Sequence, residues 1–91
     1  MKEITAEKLE EYLHITEAAL QEIADSNKEL SEKAKEVVDM AQRYLSDAKH
    51  YRDKGDFVTA FASVNYAHGW LDAGARLGLF KVDDKTFFAI D

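Results

Sequence analysis

The chain has 91 residues, enough for one domain and one modest core. It lacks cysteine, which excludes disulfides and thiolate metal sites. Its 18 acidic against 12 basic residues give a net charge of −6, which argues against a nucleic-acid backbone as the main partner. The acidic excess is lopsided: every Glu precedes Val37. A solvated helix face is the simplest reading of that half, with a docking surface for a basic partner as the alternative.

Proline is absent and glycine occurs only at Gly55, Gly69, Gly74 and Gly78, so long helices are favoured over sheets. The expected fold is all-α: a single domain over 1–91, an up-down-up three-helix bundle containing a long helical hairpin. A first helix is predicted over about 5–24, capped by Thr5, with Leu9, Tyr12, Leu13, Thr16, Ala19, Leu20 and Ile23 as its apolar stripe. Asp25, Ser26 and Asn27 form a polar break.

A second helix is predicted over about 28–54. Its stripe is Leu30, Ala34, Val37, Val38, Ala41, Tyr44, Leu45, Ala48 and Tyr51. Gly55 supplies a left-handed stop, and Asp56 caps the next helix at once. The third helix is predicted over 57–78. The tail, 79–91, has no helical period but carries Phe80, Val82, Phe87, Phe88 and Ile90 around Asp83-Asp84-Lys85-Thr86. Five apolar residues favour a packed tail over a frayed one. No apolar run approaches the roughly 18–20 residues that span a bilayer, and no apolar stretch follows the N-terminus, so a cytoplasmic protein is expected.

The third helix has two apolar sides. Phe57, Phe61, Val64, Leu71 and Ala75, with Ala60 beside them, are predicted to pack on the second helix. Tyr66, Trp70, Ala73 and Leu77 lie opposite, with Ala62 and Gly69 at their edge. Gly69, Ala73, Gly74 and Gly78 are small enough for another backbone to approach. The hairpin register places His68 level with Arg43 and Tyr44. A first helix pairing about Ser26 covers only the far part of the hairpin, leaving Tyr51, Phe57 and Phe61 for the tail or a second copy to cover. Some of Tyr66, Trp70 and Leu77 are the expected interface of a homodimer or of a complex with a partner helix; the alternative is that the first helix and the tail bury them within one chain.

Asn65, His68, Asp72 and Arg76 follow three- and four-residue spacings and form one polar stripe on that helix. A satisfied core histidine, partnered by Tyr44 and set beside an Asp72–Arg76 pair, is the structural reading. A small ligand or metal pocket using these four residues is the functional one. The spacings of helical zinc and di-iron sites are missing, and Asp47 with His50 makes a weak surface pair at best. No catalytic residue, metal site or cofactor is predicted.

The run from Tyr44 to Phe80, YLSDAKHYRDKGDFVTAFASVNYAHGWLDAGARLGLF, resembles a family of short archaeal proteins known as domain of unknown function 357. The likeness is most specific at Gly55-Asp56, at Ala60-Phe61-Ala62, and along the run from Asn65 to Gly74. It implies an archaeal, cytoplasmic helical bundle and no activity, so no site residue carries over. A looser similarity links the hairpin to tetratricopeptide and microtubule-interacting-and-transport modules, which bind peptides or helices in grooves. The expected role is accordingly a non-enzymatic interaction or self-association module; the alternative is a ligand- or metal-binding protein or enzyme using the polar stripe.

Overall fold

The computed structural model describes residues 3–82, 87 and 88. It is an all-α bundle of α1 (Ala6–Ser26), α2 (Glu32–Asp53) and α3 (Phe57–Arg76), and no described residue lies in a strand. Each helix begins on a side-chain cap. Thr5 accepts from the amide of Lys8, Ser31 from Ala34 and Asp56 from Thr59. Both glycine stops have positive φ, 82° at Gly55 and 74° at Gly78. Each closes its helix with paired bonds to the last turn: Gly55 and Asp56 donate to Arg52 and Tyr51, and Gly78 and Leu79 to Ala75 and Gly74.

The second helix starts at Glu32, not near Lys28, because Ser31 supplies the cap. Lys28, Glu29 and Leu30 belong to the connection, and α1 runs on to Ser26. Asn27, expected as a plain turn residue, is a clamp. Its amide group donates to the carbonyls of Ile23 and Lys81, and its side-chain oxygen accepts from the Lys81 amide. One carboxamide thus imitates a peptide and ties the start of the tail to the end of α1.

With 21, 22 and 20 residues, the three helices match in length, so α1 covers the whole hairpin. This corrects the expectation of an uncovered tip. Tyr12 of α1 packs on Phe61 with ring centroids 4.8 Å apart, and Ile4, Tyr51 and Phe57 join the same cluster around Leu9 and Leu13. The other end of the core gathers Ala19, Ile23, Ala34, Ala41, Leu71, Phe80 and Phe88. The packed tail is therefore seen at Phe80, Val82, Phe87 and Phe88, while Asp83-Asp84-Lys85-Thr86 and Ile90 lie outside the described residues.

The seam between α2 and α3 is made of small side chains. Ala34, Ala41 and Ala48 recur at seven residues on α2; Ala60, Ala67 and Gly74 do so on α3, and the five alanines are fully buried. The buried side of α3 is thus Ala60, Val64, Ala67, Leu71 and Gly74, with Phe61 turned to α1. Gly74 belongs to this seam, not to the open side where its small size had placed it.

An ideal Cβ at Gly74 would sit 2.5 Å from Cζ of Phe80 and 3.1 Å from Cγ1 of Val37. Gly74→Ala gains about 1 kcal/mol of helix propensity. It also forces a buried ring out of place, so a net loss of about 1–3 kcal/mol is expected in urea unfolding. A second expectation concerns the Asp56 cap. Hydrogen bonds from Thr59, side chain first and then backbone, hold the Asp56 carboxyl below its ordinary value of 3.8. The cap's contribution is therefore complete above that value and is lost as pH falls through the lowered one. The melting temperature of Asp56→Ala should lie below that of the unaltered protein at pH 7, with the gap closing in acid beneath 3.8.

Candidate functional site: a histidine anchor, a hollow and an open face on the third helix

The imidazole of His68 joins three parts of the chain. Its Nδ1 lies 3.0 Å from Oγ1 of Thr16 on α1, and its Nε2 faces the carbonyl oxygen of Phe87 in the tail. Asp72, one turn along α3, places a carboxylate oxygen 3.6 Å from the same Nε2. Both neighbours of Nε2 only accept, so Nε2 carries a proton and donates. In the neutral ring Nδ1 then accepts from the Thr16 hydroxyl. Thr16 is 1% exposed, the one buried polar side chain among the described residues, and His68 satisfies it. Phe88 packs near the same ring, with centroids 6.3 Å apart.

Tyr44, expected as the histidine's partner, is elsewhere. It sits at the right level but on the far side of α3, because residues two apart point about 200° apart on a helix. Its ring meets Tyr66 edge-on, centroids 4.5 Å apart. Thr16 was legible as part of the α1 stripe but not as a hydrogen-bond partner. The Phe87 contact is made by a backbone carbonyl, which leaves no mark in side-chain patterns.

The polar stripe is brought together in part. Asn65, His68 and Asp72 line a hollow of about 330 Å³ between α1 and α3, with Tyr12, Ile15, Thr16 and Gly69. Arg76 is exposed and stands outside this lining. Among the described residues no group of three or more His, Asp or Glu side chains is arranged to hold a metal ion. His50 instead packs edge-on against Tyr51. Arg52, near the end of α2, bridges Asp53 and Glu10 at 3.0 and 3.2 Å.

The side of α3 away from the core is open. Val58, Tyr66 and Leu77 are 62%, 56% and 75% exposed, and Ala62, Gly69 and Ala73 between them are exposed too. The three pairs 58/69, 62/73 and 66/77 each repeat after 11 residues, so the stripe runs nearly straight along the helix and carries no charge. Trp70 stands at its margin, half-buried against the tail end of the core, and lines a shallower hollow of about 260 Å³ with Asn65, Tyr66, Gly69 and Ala73. Gly69 borders both hollows. A Cβ there would meet nothing within 4 Å, so its missing side chain relieves no crowding in this chain.

These features define an all-α bundle with a histidine-anchored tail and an uncharged outer face on α3. No helix among the described residues is long and apolar enough to cross a membrane. The chain belongs to the family described as a protein of unknown function, DUF357, whose model matches residues 11–80. No curated protein sequence and no solved structure matches it.

Two measurements follow from this geometry. His68→Ala strands the buried Thr16 hydroxyl and should cost about 1–3 kcal/mol in urea unfolding; Thr16→Val in a His68→Leu background should recover part of that loss. Gly69→Ala should raise stability by about 0.5–1 kcal/mol, opposite in sign to the same change five residues on at Gly74.

Proposed function

We propose that this protein is a cytoplasmic, non-enzymatic self-association module in which two copies pack through the open face of α3. The observation that carries the reading is the exposed, uncharged stripe from Val58 to Leu77. Large side chains at Tyr66 and Leu77 flank the small Gly69 and Ala73. That pattern is palindromic. In an antiparallel pair with its axis near residue 71, Tyr66 comes level with the partner's Leu77 and Gly69 with the partner's Ala73. A two-fold interface requires such reciprocity. The bare Cα of Gly69 lets the two backbones approach, and the exposed edge of Trp70 borders the contact.

Size limits the strength. The reciprocal part of the stripe, from Tyr66 to Leu77, runs about 17 Å at 1.5 Å per residue and is roughly 10 Å wide, on the order of 200 Å² per copy. Standard interfaces bury about 800 Å² per partner. The dimer is therefore expected to be weak, in the micromolar range or above. A second reading rests on the hollow beside His68, where three residues of the polar stripe converge on a concave site between helices, as in a small-ligand pocket.

Sedimentation equilibrium across about 10 µM to 1 mM, a range chosen to bracket such a dissociation constant, tests the first reading. The mass should rise toward that of two chains. Leu77→Lys should weaken association at least about tenfold with little change in melting temperature, because its side chain is exposed; Tyr66→Lys should weaken it as much, with some loss of stability from the broken contact with Tyr44. A single-chain mass at every concentration would remove the proposal.

A further inference from the structure

The hollow between α1 and α3 divides its labour. Ile15, the ring of Tyr12 and the bare backbone of Gly69 give apolar walls, while Asn65 and Asp72 give a polar rim. Thr16 and His68 also line it, but they are engaged with each other and with the Phe87 carbonyl. Asn65 presents a carboxamide to a guest, and Asp72, already partnered within the chain, presents a carboxylate. The Asp72 side chain is 31% exposed. A carboxylate offers about four lone-pair positions, so it can receive a guest while keeping its partners within the chain. Among the described residues no lysine or arginine lines the hollow. The chain's net charge of −6 adds a field that draws cations in.

Gly69 supplies the independent observation. Gly55 and Gly78 are needed for positive φ, and Gly74 for the approach of Phe80. Gly69 has neither reason, yet a glycine inside a helix costs roughly 1 kcal/mol relative to alanine. Its empty position keeps the floor of the hollow open.

Resting on the second reading above, we propose that this hollow binds a small organic cation. An ammonium group donates to Asp72 and to the Asn65 side-chain oxygen, and a flat apolar body lies over Gly69 between Tyr12 and Ile15. The volume, about 330 Å³, is at the lower end of ligand sites and suits a one-ring amine. Charge on the guest, rather than its apolar body alone, sets the selectivity.

The test is a two-dimensional NMR titration of the ¹⁵N-labelled full chain at pH 7 with three probes of one shape: phenethylamine, 2-phenylethanol and 3-phenylpropionate. Phenethylamine should give saturable shifts at the amides of Ile15, Asn65, Gly69 and Asp72, with at least about tenfold higher affinity than the alcohol. The acid should bind most weakly. Asp72→Asn should bring the amine down to the level of the alcohol. Should that variant lose its fold, Gly69→Leu, which fills the hollow from an uncrowded position, should abolish the amine's shifts. Equal affinity for amine and alcohol would overturn the cation assignment and leave the pocket reading standing. An absence of saturable shifts with all three probes would overturn both.

Discussion

The close seam between α2 and α3 is the constraint on which the rest of the fold depends. Alanine at 34, 41, 48, 60 and 67, with Gly74, lets the two helices lie side by side with little between them. A seam so narrow buries few carbon atoms of its own, and burial of apolar surface is the main favourable term in folding. Val64 and Leu71 of α3 and Leu45 of α2 supply part of the bulk, and the rest comes from outside the hairpin. Leu9, Leu13, Ile23 and Thr16 of α1 are among the largest fully buried side chains, and Phe80 and Phe88 of the tail close the far end. The hairpin is thus a frame, and α1 and the tail are its filling. The Asn27 clamp and the His68 anchor follow from this: a tail that completes the core has to be held at defined points, and each device uses backbone groups of the tail to do so.

The same seam decides where α1 settles. Its large side chains go into the core, in clusters shared with α2, α3 and the tail, and its outer edge meets α2 through ion pairs. Lys49 pairs with Glu17 at 2.8 Å and Arg52 with Glu10 at 3.2 Å, all four partly exposed. Pairs of this kind contribute no more than about 1 kcal/mol each. They fix the direction of α1 along α2 more than they add stability. Arg52 is held above its ordinary pKa mainly by its bond to Asp53, against the opposing effect of burial, with Glu10 adding a smaller share. Between α1 and α2 a broad groove stays open beside Leu20 and Leu45.

Much of this was legible in the sequence because it is local. Thr5, Asp56, Gly55 and Gly78 are cap and stop residues whose chemistry acts within one turn, and each stands at the boundary it signals. The stripes of α1 and α2 were readable by period alone. The failures were of three physical kinds. Ser31 beat the Asp25-Ser26-Asn27 break as the start of α2, and that shift of a few residues moved the register of α1 enough to cover the hairpin tip. Gly74 looked like a surface of approach for a second chain, but the approaching group is Phe80 of the same chain. The polar stripe put Asn65, His68 and Asp72 on one flank correctly, yet the partners of His68 come from Thr16 and a tail carbonyl, contacts at separations of 52 and 19 residues that no helical period encodes.

What folding requires of α3 can be separated from what it does not. The core needs Ala60, Val64, Ala67, Leu71 and Gly74; the anchoring of the tail needs His68; the contact with α1 needs Phe61. None of these needs touches Val58, Ala62, Gly69, Ala73 or Leu77, which face outward. On α1 and α2 the outward positions are filled with residues such as Glu7, Glu11, Lys33 and Glu36, the usual composition of a solvated helix. Solubility would favour the same on α3, and helix stability would favour almost any residue over glycine at position 69. Both preferences are set aside along a single stripe of the helix that is already packed on both of its neighbours. A cost borne where the fold gains nothing marks the surface on which something else acts, and Gly69, placed between the stripe and the hollow beside His68, is where that cost is concentrated.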